Sequence, residues 1–364
     1  MSQSKADIKW ISFLKGIAIL SIFLAHAPQG IPWIDNKWTA WGANAVKLLF
    51  VIAGFLTTKS YMKRSCSFKV FLVKRFWRLA PLYWCMILVW HVIYVIDQSR
   101  TVTNFMTEHD PIAVLLNITL LNGIFQHGNN TVVPGGWFVG AIFLFYIMSP
   151  AIIKSIEKLW KKCPYLVEGI PILCFACSYV INYILAKTPS LCQVSSIFVV
   201  WYSVFFQLPS LLLGINLWFE SSKNKGVWKL GNVWLIIFIL FFAGAGWYST
   251  YVNYDFNQFA WGYLSYFLII LTSRKYNIIE NTGICKVIVL IGNASYEFFL
   301  VHLVGTIIVL PYMAVKLLKY TNEWVAYIVS LVCVFFISGF VAWGLNCCKK
   351  RVEGKATASL IIRE

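Results

Sequence analysis

One apolar run, from Phe13 to His26, carries a single cation, Lys15, and a single imidazole, His26. The two lie eleven residues apart, almost three turns at 3.6 residues per turn, so a helix would project both from one face. At a rise of 1.5 Å per residue they are separated by roughly 16 Å, about half of a bilayer's hydrocarbon core. Ionisable groups inside such a segment are costly and mark sites. An imidazole that titrates near neutrality is suited to take a proton from a hydroxyl.

A second constellation is Lys74-Arg75-Phe-Trp-Arg78-Leu-Ala-Pro81. Arg75 and Arg78 are i, i+3 neighbours on one helical face. Paired guanidiniums present forked donors that match phosphate oxygens. The same pair also suits anionic lipid headgroups. Lys47 is a further cation within an apolar stretch, Trp41 to Phe55, whose small residues permit close helix packing. Trp137 opens an aromatic-rich stretch that runs to Pro150. Glu297 and His302 are five apart, about 140° around a helix, and so do not form a simple same-face acid–base pair. His302 reads as a buried structural histidine, His91 likewise, and Glu297 as a candidate with no named partner. No run of His and Cys has metal-ligand spacing, so no metal is expected. Cys174 and Cys177 form a CxxC inside an apolar helix, which reads as packing.

The elements that must hold these residues follow from composition. Of 364 residues 59% are apolar, 12% charged and 17% aromatic, the balance of an integral membrane protein with aromatic belts. A net charge of +17 would suggest nucleic acid in a soluble chain, but here its placement excludes that partner. Candidate spans fall at about 10–27, 40–61, 79–96, 136–153, 166–186, 197–219, 232–250, 256–272, 287–311 and 323–346. With the N-terminus inside, Lys59, Lys63, Arg64, Lys69, Lys74, Arg75 and Arg78 share one inner loop. Lys154 to Lys162, Lys223 to Lys229, and Arg274, Lys275 and Lys286 fill the others. Lys37, Arg100, Lys187, Lys316 and Lys319 fall outside, and Lys15 and Lys47 within spans. The positive-inside rule thus predicts an all-α polytopic protein of about ten transmembrane helices with both termini cytoplasmic. Residues 1–350 read as one transmembrane domain and 351–364 as a short cytoplasmic tail.

The external segment 97–135 holds a half-apolar run, Pro111 to Phe125, read as a helix lying in the interface or dipping back in. Of ten cysteines only Cys192 falls in an outside loop, so an external disulfide framework is excluded. Lys5, Lys9 and Ala25-His-Ala27 also permit a signal-peptide reading, which Lys15 in the apolar region disfavours.

Taken in order, these motifs resemble the acyltransferase-3 family. They are the K-x10-H first helix, the Gly42 to Phe55 second span, R-x-x-R-x-x-P, the Trp-Phe fourth span, and Ser-Tyr-x-x-x-Leu-x-His from Ser295 to His302. The resemblance runs from about Lys9 to Trp343. It implies a membrane acyltransferase that modifies sugars from acetyl-CoA, with His26 as the essential histidine and Lys15 as its paired cation. It also implies that Arg75 and Arg78 hold the CoA phosphates. The chain departs from the family pattern in three places: Ser12 stands where an Asp is common, Ala53 where a Ser is, and Ile142 where many members carry an acid.

The combined expectation is transfer of an acetyl group to a cell-surface or lipid-linked glycan, such as O-antigen or capsule, at a bacterial inner membrane. His26 acts as general base, with direct attack on the thioester or a prior acyl-histidine both open. The competing class is a secondary transporter or a flippase of lipid-linked sugars, against which no pair of repeated, Gly/Pro-broken halves is visible.

Overall fold

The computed structural model describes residues 3–35, 37, 39–63, 67–97, 110–125, 127–187, 202–252 and 256–361. Arg64, Arg100 and Cys192, and the first residues of the expected span 197–219, lie outside the described residues. The fold is all-α, with no β-strand among the described residues. The helices are α1 (Gln3–His26), α2 (Val46–Lys63, entered through a 3₁₀ turn Ala40–Ala45), α3 (Phe68–Ile96), α4 (Pro111–Ile118), α5 (Gly136–Lys162) and α6 (Pro164–Lys187). There follow α7 (Val204–Lys223), α8 (Asn232–Tyr251), α9 (Asn257–Ile279), α10 (Gly283–Asn293), α11 (Ser295–Val304), α12 (Leu310–Leu317) and α13 (Glu323–Ile361).

Among the described residues, eight helices are long and apolar enough to cross a membrane, α11 to α12 counting as one continuous rod. The protein is therefore polytopic. Helices α7 and α9 occupy the two remaining expected spans but fall outside that apolar set. Their sequences explain this, because α7 buries Gln207, Ser210, Asn216 and Glu220, and α9 buries Asn257 and Ser265. Polar side chains turned onto protein rather than lipid lower a helix's mean hydropathy without excluding it from the membrane.

Two expectations are corrected. The expected span 287–311 is interrupted: α10 stops at Asn293, and Ala294 (φ −106°, ψ 23°) breaks the helix before α11 begins. Asn293 and Asn346 cover the break, the Asn346 amide donating to the Asn293 carbonyl at 3.3 Å. Second, the half-apolar run after Pro111 is helical only to Ile118. Asn117 curls the chain back, its amide donating to the Ala113 and Gly128 carbonyls at 2.9 and 2.7 Å. Helix α13 runs on to Ile361. His91, read as structural, stands exposed on α3.

The chain divides into two compact units, residues 1–43 with 275–364, and residues 44–274. In the first, α1 crosses α10 at backbone distance. A Cβ on Gly16 would collide with the Ile288 carbonyl, and one on Gly292 with the Ser12 carbonyl. Small residues at a membrane crossing maximise dispersion contact where no hydrophobic effect drives association. The Ser12 hydroxyl then reaches the Asn293 side chain at 2.7 Å. Further along α1, Phe23 meets Phe298 and Phe335 edge-on, with centroids at 5.9 and 5.6 Å. After α11 the rod widens into a π-turn, Gly305–Val309, just ahead of Pro311. Proline removes one helical N–H and clashes with the carbonyl four residues back, and a wider turn relieves both.

In the second unit, α2 crosses α7 by the same device, Gly54 lying against the Leu211 carbonyl and Gly214 against that of Val51. Tyr83 of α3 donates to Asn117 at 2.6 Å, and Trp84 donates to the Ile118 carbonyl at 2.9 Å, which docks α4 on α3.

Candidate active site

The first unit brings together two residues that the sequence keeps far apart. His26 sits at the C-terminal end of α1, half-buried, and His302 lies on α11 at 1% exposure. Their rings meet with centroids 5.3 Å apart, and His302 Nε2 stands 3.4 Å from His26 Nδ1. The ring planes of Phe298 and Phe299 flank His302, with centroids at 6.2 and 5.8 Å. His26 Nδ1 also lies 2.8 Å from the Ile22 carbonyl of its own helix. Carbonyl oxygens only accept, so this nitrogen carries the hydrogen and the neutral ring keeps its lone pair on Nε2. That is the protonation pattern of a general base.

Lys15 lies half-buried on the same helix. Glu297, without a partner in the sequence reading, is 3% exposed and forms an ion pair with Lys349 of α13 at 3.1 Å. The same ammonium lies over the Tyr296 ring at 5.3 Å. Glu297 thus fastens α11 to α13, and His302 faces His26 from the same short helix. Geometry separates the two residues as the 140° offset requires, and gives each a partner on a different helix.

The second unit holds the remaining candidates. Arg75 lies over two rings, Phe71 at 5.3 Å and Tyr146 at 5.0 Å, which fixes its guanidinium plane. Arg78, one turn on, is exposed. Trp137 packs on Tyr202 with centroids at 4.8 Å and on Phe50 at 6.0 Å. Lys47 is 5% exposed, its ammonium 2.6 Å from the Gln207 side chain and 6.0 Å from the Phe50 centroid. No sequence signal points to the Lys47–Gln207 or His26–His302 pairings, since the partners are 160 and 276 positions apart.

A helical, polytopic membrane chain with a pair of imidazoles packed together inside one unit is a membrane protein with an ionisable intramembrane site. Comparison with known proteins makes its class definite. The acyltransferase domain of the acyltransferase-3 family matches residues 8–343, and the chain belongs to that family. Among curated proteins it is similar to the peptidoglycan O-acetyltransferase OatA of Listeria monocytogenes serovar 1/2a. The two are 24% identical over 325 residues, a match covering 82% of this chain and 49% of that protein. This chain therefore spans about half the length of that relative. No solved structure matches it.

Proposed function

We propose that the protein is a membrane O-acetyltransferase that moves an acetyl group from cytoplasmic acetyl-CoA to a hydroxyl of a cell-surface or lipid-linked glycan. The observation that carries this reading is His26, an imidazole at the end of a packed membrane helix whose Nε2 lone pair is left available by the bond from Nδ1 to Ile22. Family membership supports the acyl transfer, and a relative named for peptidoglycan supports a glycan acceptor. In this scheme the fork of Arg75 and Arg78 binds the CoA phosphates. Lys15 supplies positive charge to the donor's arm, and His26 takes the proton of the acceptor hydroxyl. The charge distribution favours both termini on the cytoplasmic side of a bacterial inner membrane.

The test is thiol release and acetyl transfer from labelled acetyl-CoA by the purified protein in detergent. Peptidoglycan strands and O-antigen polysaccharide are supplied as separate acceptors. Wild-type transfer to one of them, lost in His26→Ala, is the expected result. Transfer at the full rate by His26→Ala would remove His26 from the mechanism. A protein that consumes no acetyl-CoA while moving lipid-linked sugar would be a transporter.

A further inference from the structure

His302 has a second set of contacts that assigns it a task. Its Nδ1 lies 2.7 Å from the Phe299 carbonyl and 3.2 Å from that of Phe298. Both are acceptors, so Nδ1 of His302 carries the hydrogen and the lone pair of the neutral ring resides on Nε2. That lone pair stands 3.4 Å from Nδ1 of His26, whose hydrogen is thereby shared between Ile22 and His302. The two rings are ordered head to tail: backbone carbonyl, His302, His26, and then Nε2 of His26. A buried imidazole needs a partner at each ring nitrogen, and the second partner of His302 is the ring of His26. Here that nitrogen is aimed at the one imidazole placed to act as a base, with the Phe298 and Phe299 rings around it, where hydrogen bonds are stronger than in water.

We propose that His302 is a positioning residue for His26. It holds the Nδ1–H tautomer and stabilises the imidazolium that forms during acyl transfer. This rests on His26 being the base. As the acceptor's O–H bond breaks, its proton forms the new N–H bond on His26 Nε2, and the O–H electron pair stays on oxygen. That oxygen bonds to the acetyl carbonyl carbon. The C–S bond then breaks, its electron pair leaving with the CoA sulfur, which receives the proton from His26 Nε2. Nδ1 keeps its hydrogen throughout. While His26 is cationic, its Nδ1–H bond to the His302 lone pair strengthens, so His302 acts in the transition state more than in the ground state. Of the neighbouring charged groups, Glu297 is tied to Lys349, and Lys15 lies about three turns down α1.

Two near-isosteric variants separate positioning from packing. Glutamine places an acceptor oxygen near the position of Nε2, while methionine fills the space without an acceptor of comparable strength. Thiol release from acetyl-CoA is measured with solubilised peptidoglycan strands present, alongside each variant's melting temperature and a His26→Ala control. For His302→Met we expect kcat to fall about a hundredfold with an unchanged KM for acetyl-CoA. For His302→Gln we expect at least about a tenfold recovery over methionine. Wild-type kcat in His302→Met, or equal loss in both variants with matching falls in melting temperature, overturns the positioning role. If methionine prevents folding, a His302→Gln protein with normal melting temperature and a kcat no better than His26→Ala overturns it as well. Activity retained by His26→Ala sinks instead the assignment of the base on which this inference rests.

Discussion

His302 Nε2 stands 3.4 Å from His26 Nδ1, across 276 positions of chain. Removing the base should therefore cost catalysis and spare the fold, because His26 is half-buried at a helix end while Ile19, Ile22 and Phe23 carry the packing of α1. His26→Ala is expected to lower transfer by about 10²–10⁴-fold. Its melting temperature should stay within a few degrees of wild type, and thiol release with thermal denaturation reads both.

The arginine pair should behave asymmetrically. Arg78 is exposed, whereas the guanidinium of Arg75 is clamped over Phe71 and Tyr146. Arg78→Ala should raise the KM for acetyl-CoA by roughly tenfold or more with kcat little changed, the value of one or two hydrogen bonds to a charged group. The penalty should shrink as salt rises. Arg75→Lys keeps the charge but loses the planar stacking, so it should also lower the melting temperature. An unaltered KM in both variants would remove CoA binding from this face.

The positions of the helices were legible in the sequence because apolar runs and the placement of Lys and Arg report directly on burial in lipid. The partners of the site were not. Helical spacing puts Glu297 and His302 on different faces, but it is silent about which distant helix covers each face. Lys349 lies beyond the expected last span, 323–346, and His302 reads as structural because its partner lies on the first helix. The break at Ala294 is masked for a local reason: Gly292 and Asn293 just ahead of it sit inside an apolar run long enough to read as one span, and Asn346, which covers it, is ordinary in isolation.

The α1–α10 crossing gives a stability prediction. A side chain at Gly292 would meet the Ser12 carbonyl, so Gly292→Val should cost at least about 1–3 kcal/mol and yield aggregated protein. Gly169 of α6 faces open space, and Gly169→Ala should be neutral or stabilise by up to about 1 kcal/mol. Size-exclusion profiles and melting temperatures of the two variants make the comparison.

The Glu297–Lys349 pair should show coupling. Lys349→Met leaves the carboxylate, 4% exposed at its side chain, without its partner. That should destabilise by about 3–5 kcal/mol. Adding Glu297→Gln should recover much of the loss, and a double-mutant cycle on melting in detergent measures it.

Helix α4 should respond to acid. Asp110 caps it, accepting from Ile112 and Ala113 at 2.9 and 3.2 Å, and meets His127 at 2.6 Å. Slight desolvation pushes the carboxyl's pKa up, but those amides and His127 pull it further down, to a value below the ordinary one. A depressed carboxyl stabilises above its unfolded pKa, near 4, and loses that contribution as pH falls through the folded value. Protection factors for amide exchange in 111–118 should therefore be flat near neutrality and drop in acid below about pH 4. In Asp110→Asn they should be lower at neutral pH and lose this acid step.

The interruption at Ala294 has a consequence for how the chain tolerates insertions and deletions. Each residue added to a continuous helix swings everything beyond it by about 100°. Because α10 ends before α11 begins, a change of length ahead of the Ile288 and Gly292 crossing points need not turn His302. Between Ser295 and His302 there is no such slack, since Glu297 is tethered to Lys349 and the histidine must still face α1. The seven-residue step from Ser295 to His302 is therefore the ruler of the site, while α10 keeps its own register against α1 through Ile288 and Gly292.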